Sequence, residues 1–201
     1  MRLIVIRHGE SEADVLKVCE GRADYNLTNK GHQQAENMSR VISEEYKIDK
    51  IYTSSLKRAI QTAEHLAEKC NLPLIKEDKL KEFNNGLRAG LPFDEAYSKY
   101  PSVQVPIYSS NYDQESELNF RMRAEYILSK IISENSQDAT IAIVSHGGMI
   151  MRLYQAFLKL PIDSNIKFTT GDACYHEWEI KDKQRFINCA NRNPLNVVDR
   201  F

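Results

Sequence analysis

Two segments of this chain share one pattern: Ile4-Val5-Ile6-Arg7-His8-Gly9 near the start and Ile143-Val144-Ser145-His146-Gly147 late in the chain. Each begins as a β-branched apolar run, apolar on both faces, and stops abruptly at polar residues, the mark of a strand buried on both sides. Ile51-Tyr52-Thr53 reads the same way, and Leu74-Ile75 marks a further strand. Such strands need helices on both faces, and the intervening sequence supplies helical patterns: about Asn29 to Tyr46 after a Thr28 cap, Leu56 to Cys70 after Ser54 or Ser55, Glu117 to Glu134 after Ser116, and another after Gly147-Gly148 to about Lys159, before Pro161. Strands alternating with helices predict an α/β fold with a mainly parallel sheet covered on both faces. Ala173 to Ile180 and Arg185 to Ala190 read as two closing strands joined at Lys181-Asp182-Lys183.

The 201 residues suit one domain. Gly90 to Gln114 differs from its surroundings, with Pro92, Pro101 and Pro106, tyrosines at 97, 100, 108 and 112, and weak periodicity; it reads as a lid insertion, helical near Phe93 to Tyr100. The net charge of −1 and the absence of a dense Lys/Arg run argue against nucleic acid as a partner. No stretch has the apolar length of a membrane span or of a signal-peptide core. The four cysteines, at 19, 70, 174 and 189, form no CxxC pair, so neither a zinc site nor a disulfide framework is expected. A cytoplasmic location is the expectation from these features.

In open α/β sheets ligands bind outside the carboxyl ends of the strands, and neighbouring strands lie about 4.8 Å apart. Were the two His-Gly strands neighbours, His8 and His146 would share one pocket, with the glycines letting backbone amides approach a ligand. The alternative is that each histidine only ends its strand. Arg58 lies in the first turn of a helix, where the macrodipole disfavours a cation by roughly 0.3–1 kcal/mol. An anion between guanidinium and helix terminus would compensate; a solvated arginine is the other reading. Glu82 carries no signal of its own beyond that of a loop carboxylate.

Arg7-His8-Gly9-Glu10-Ser11 together with Ser145-His146-Gly147-Gly148 resembles the histidine phosphatase superfamily in its phosphoglycerate-mutase-like branch. Gly21-Arg22-Ala23-Asp24 with Leu27-Thr28, Ser54-Ser55-Leu56-Lys57-Arg58-Ala59, Leu80-x-Glu82 with Gly86 and Gly90, and Glu115-Ser116 with Arg123 resemble further family segments in order. The resemblance implies a three-layer α/β sandwich and a metal-independent phosphomonoesterase with no cofactor. His8 would be the nucleophile, Glu82 the proton donor, and Arg7, Arg58 and His146 the phosphate clamp. Ser11, Asp14, Gly21, Arg22 and Gly147 would line the substrate site. Two departures from the family pattern stand out. Asp14 replaces an asparagine, putting an anion near the expected phosphate unless it turns away, is protonated or meets a hydroxyl or cation. Gln114 replaces a glycine.

The expected partner is a small phosphorylated metabolite. Candidates include sugar phosphates, phosphoserine, nucleotide-like esters and the phosphorylated nucleoside of cobalamin synthesis. A phosphoglycerate-type mutase is the first alternative; Phe83-Asn84-Asn85 after Glu82 and a single basic residue, Lys99, between Gly90 and Gln114 weigh against it. A catalytically silent phospholigand-binding protein is the second. The sequence says nothing of the oligomeric state.

Overall fold

The computed structural model describes residues 1–194; the expected domain range runs on to Phe201, so its last seven positions lie outside the described residues. Six strands form one sheet: β1 (Arg2–Arg7), β2 (Lys50–Ser54), β3 (Leu74–Glu77), β4 (Thr140–Ser145), β5 (Tyr175–Lys181) and β6 (Gln184–Arg192). Their spatial order is β3-β2-β4-β1-β5-β6. The first four run parallel, and β5 is antiparallel to both β1 and β6, which makes the sheet mixed but mainly parallel. The helices are α1 (Glu12–Leu16), α2 (Asn29–Glu45), α3 (Lys57–Cys70), α4 (Phe93–Lys99), α5 (Glu117–Ser133) and α6 (Gly147–Phe157).

Side-chain alternation along the strands divides the core in two. Leu3 and Val5 of β1 and Ile141 and Ile143 of β4 pack under α5 and α6, against Ile127, Ile131, Ile150 and Leu153. Ile4 and Ile6 of β1 and Ala142 and Val144 of β4 pack on the other face against Met38 and Ile42 of α2 and Ala63 and Leu66 of α3. All of these side chains are fully buried, each worth about 1.5–3 kcal/mol where it is a large aliphatic. The chain therefore leaves β1 towards one face and its neighbour β4 towards the other. That divergence opens a crevice at the carboxyl ends of the two strands that carry His-Gly.

Two expected caps form: Thr28 Oγ1 accepts from the Gly31 amide at 3.0 Å, and Ser116 Oγ from the Asn119 amide at 3.1 Å. The cap expected from Ser54 or Ser55 on α3 does not. Its N-cap is Leu56, which has no side-chain acceptor, and the Lys57 amide donates instead to Asp24 Oδ1 at 2.7 Å, from a segment far away in sequence. The short helix α1 was not anticipated: Ser11 and Asp14 close a capping box on it.

Within 90–114 lies α4, at the position expected for the helical part. The base of this segment is tied to the chain before the site, Cys19 N donating to Leu91 O and Gly90 N to Cys19 O, both at 2.8 Å. Three of its tyrosines gather at Arg88, whose guanidinium lies 4.7 Å from the Tyr97 ring centre and 5.9 Å from that of Tyr112, while the Tyr100 ring is tilted against that of Tyr112 at 5.2 Å. Tyr108 stays exposed. No helix among the described residues is long and apolar enough to cross a membrane. All four cysteines are free thiols, Cys19 and Cys174 being buried.

Candidate active site

Parallel pairing of β1 with β4 sets Arg7 beside Ser145, so the next residues, His8 and His146, emerge side by side. Their ring centres are 5.1 Å apart and both are buried. His8 Nδ1 lies 2.8 Å from the Gly9 carbonyl oxygen. A carbonyl can only accept, so Nδ1 carries the proton and Nε2 keeps its lone pair. That lone pair receives the Arg58 Nε–H at 3.2 Å. Burial, followed by the charges of Arg58 and Arg7, holds His8 well below the usual imidazole value; its bond to the Gly9 carbonyl pulls weakly the other way. His146 is lowered just as clearly, first by burial and then by Arg58, His8 and Arg7. Two neutral imidazoles thus sit among fixed cations.

Arg58 is completely buried, and three groups compensate it at the start of α3. Nη2 donates to Gly21 O at 2.8 Å, Nη1 to Ala23 O at 3.1 Å, and Nε lies 3.0 Å from Glu20 Oε2. Gly21 can turn its carbonyl this way because its φ is +48°; a Cβ there would also stand 2.5 Å from the Asn85 side chain. Arg7 reaches the same region from β1, held by Thr170 O at 2.7 Å and Asp172 Oδ1 at 3.0 Å, with its buried Nε unpartnered. His146 Nε2 meets Ser54 Oγ at 2.7 Å, and its buried Nδ1 has no partner. Unpaired buried nitrogens are costly in a folded protein and mark groups aimed at something else.

Glu82 arrives from the loop after β3. Its Oε2 accepts from the Gly148 amide at 2.8 Å and its Oε1 from the Phe83 amide at 2.7 Å, so the carboxyl lies at the N-terminus of α6, next to His146. A Cβ on Gly148 would come within 2.5 Å of Oε1, which is why the carboxyl can approach so closely. Arg123 of α5 holds the loop: its Nη1 donates to Lys79 O and Lys81 O, and its Nη2 to Glu82 O and to Glu115 Oε1. Glu115 accepts from the Asn84 amide as well.

His8, His146, Arg7, Arg58 and Glu82 are therefore together. The other expected positions are placed differently. Asp14 turns to Ser11, accepting from its amide at 2.8 Å and its hydroxyl at 2.9 Å, so its charge is compensated by the start of α1. Arg22 points to Glu115 and the Glu82 carbonyl rather than to His8. Gly147 opens α6 and lies beside the Arg7 guanidinium. Glu20 was missed: it sits against both Arg58 and His8, and the one available signal was an acid directly before Gly21-Arg22. Asp172 and Thr170, which hold Arg7, gave no signal, and Ser54 was marked only as a helix cap and part of a family-like segment, since its bond to His146 is a tertiary contact. Among the described residues no group of three or more His, Cys, Asp or Glu side chains is arranged to hold a metal ion.

An imidazole nitrogen with its lone pair directed among two guanidiniums and a second imidazole suits chemistry on an anionic group. The family model of the histidine phosphatase superfamily (branch 1) matches residues 3–193. The chain belongs to that superfamily. Among its histidine phosphatase relatives, the phosphoserine phosphatase 1 of Hydrogenobacter thermophilus is 29% identical over 93% of this chain and 90% of its own length. The 2,3-bisphosphoglycerate-dependent phosphoglycerate mutase of Bartonella quintana is 33% identical over 84% of this chain and 88% of its own. The structure of the alpha-ribazole phosphatase from Shigella flexneri superposes with a TM-score of 0.84 at 25% identity, covering 99% of this chain and 100% of that one. The superfamily thus includes both phosphatases and mutases among the similar proteins.

Proposed function

We propose that this protein is a phosphomonoesterase that transfers the phosphoryl group of a small metabolite to His8 Nε2 and then to water. The observation that carries the reading is the tautomer: His8 Nδ1 is committed to a carbonyl, which aims the Nε2 lone pair into a pocket of cations. A phosphate monoester resists attack because its charge repels nucleophiles, so the site must neutralise that charge and hold the attack in line. Arg7 and Arg58 supply charge. His146 supplies a neutral donor, because the Ser54 hydroxyl can donate to its Nε2 and leave Nδ1–H for a phosphoryl oxygen.

In the first step Nε2 forms a bond to phosphorus while the ester P–O bond breaks, and a protonated Glu82 gives its proton to the leaving oxygen. In the second, the Glu82 carboxylate takes a proton from water, the water oxygen bonds to phosphorus, and the P–N bond breaks, returning the lone pair to His8. No step calls for a metal or cofactor. The reading extends to one domain spanning the chain, with 90–114 as a lid over the pocket and its tyrosines packing around Arg88 rather than gripping the substrate. Arg22 and Arg123, the cations beside the acid loop, are both paired with Glu115. That pairing favours water over a second phosphorylated acceptor and so favours phosphatase over mutase.

His8→Ala should abolish hydrolysis of p-nitrophenyl phosphate without altering the circular dichroism spectrum. Alkaline quench of the wild-type protein with labelled substrate should trap a base-stable, acid-labile phosphoryl-protein. Persistent turnover in His8→Ala overturns the reading, and absence of turnover in the wild type towards any phosphorylated metabolite favours a silent binding protein.

A further inference from the structure

The carboxylate of Glu20 stands where a phosphoryl oxygen would need to be. Its Oε2 is 3.0 Å from Arg58 Nε and 3.9 Å from His8 Nε2, the two atoms that the proposed chemistry assigns to the incoming group. It is a poor home for an anion. Oε1 is buried without any hydrogen-bond partner, and the carboxyl faces Asp14 of α1 and Glu82 of the acid loop as well as Arg58 of α3, His8 after β1 and the Ser11 hydroxyl. Burial raises its affinity for a proton above that of an ordinary carboxylate, the like charges of Asp14 and Glu82 adding to this, and Arg58 and Ser11 only partly offsetting it.

We infer that Glu20 is a resident competitor for the phosphoryl site, which must swing out or take up a proton before the phosphoryl group can bind to Arg58 and His8. This rests on the reading of the pocket as a phosphoryl site. The backbone on either side is held, Cys19 by its pairing to the base of the 90–114 segment and Gly21 by its carbonyl on Arg58, so the movement is one of the Glu20 side chain alone. Arg58 Nε–H is shared between Glu20 and the His8 lone pair, so a phosphoryl oxygen that takes Glu20's place inherits the same donor.

A purely structural role, holding Arg58 in place, predicts the opposite sign, so the test is direct. Inorganic phosphate is titrated calorimetrically into the wild type, Glu20→Gln and Glu20→Asp at pH 8 and pH 5. The inference expects Glu20→Gln to bind phosphate at least tenfold more tightly at pH 8. That advantage should shrink as the pH is lowered, because the buried wild-type carboxyl takes up a proton more readily than an ordinary carboxylate. Glu20→Asp keeps the ion pair available to the fold but withdraws the carboxylate by one methylene, and should fall between the two. Unchanged or weaker binding by both variants at pH 8 overturns the inference and leaves Glu20 as a support for Arg58; if Glu20→Gln does not fold, Glu20→Asp decides alone. The trapping of a phosphoryl group on His8 reports on the function separately. Failure of all three proteins to bind phosphate, together with no trapped label, overturns the function and the inference with it.

Discussion

Gly148 is the second residue of α6, and its amide donates to Glu82 Oε2. A methyl group in place of its hydrogen would lie 2.5 Å from Oε1 and 3.1 Å from Cδ of the same carboxyl. Restoring ordinary contact requires the carboxyl to retreat by about 1 Å, and a misplacement of that size costs about 10²-fold in rate, or about 2.7 kcal/mol in the barrier. The obstacle is the end of a flexible side chain, and alanine is favoured over glycine in a helix by up to about 1 kcal/mol, so Gly148→Ala should melt no lower than the wild type. The loss should depend on the leaving group: an alkyl phosphate needs a proton from Glu82, whereas p-nitrophenolate departs without one. The kcat/KM, which reports on transfer to His8 and not on the shared hydrolysis step, should therefore fall about 10²-fold for an alkyl monoester and much less for p-nitrophenyl phosphate. Equal losses on the two substrates, or an alkyl loss below about threefold, would show that Glu82 is not the acid held at this helix terminus.

Arg123→Met should detach the acid loop, because one guanidinium serves three loop carbonyls and Glu115. It leaves the part-buried Glu115 with Arg22 as its remaining ionic partner, so the loss read from urea denaturation should fall below the about 3–5 kcal/mol of a buried carboxylate left with none. Its kcat/KM should also fall more for alkyl than for p-nitrophenyl esters, a split that mere loss of stability does not produce. The acid side of the stability profile follows from three buried histidines. His8 and His146 are held well below the usual imidazole value of 6.5, and His176, buried against Tyr154, is pushed down to about 4. Below pH 6.5 the unfolded chain binds protons that these folded imidazoles refuse, so the stability present above that pH is lost as pH falls towards 4. Urea midpoints should drop steadily from pH 7 to pH 4.5; a midpoint that stays level across that range contradicts the burial assigned to them.

The sequence by itself determined the layers of this protein and the pair of histidines. Continuous apolar strands and helices with local caps are local patterns, and the repeated His-Gly ending made the partnership of His8 and His146 legible before the strands were known to adjoin. Arg58 was legible as an uncompensated cation in a first helical turn, although not what compensates it. What the tertiary structure alone decided depends on contacts between residues remote in sequence. Asp24 caps α3 where a local serine was expected, because the 20–28 segment lies over that helix terminus. Glu82 looked like any loop carboxylate until α6 supplied an amide and Arg123 a clamp for its loop. Asp14, a threat to a phosphate when read in sequence, is turned to Ser11 by the turn that begins α1. Glu20 drew no attention, since nothing in a linear chain shows that its carboxylate will meet Arg58 and His8. Periodicity encodes which side of an element is buried, but where a single charged side chain ends is set by whichever partners folding brings within about 3 Å of it.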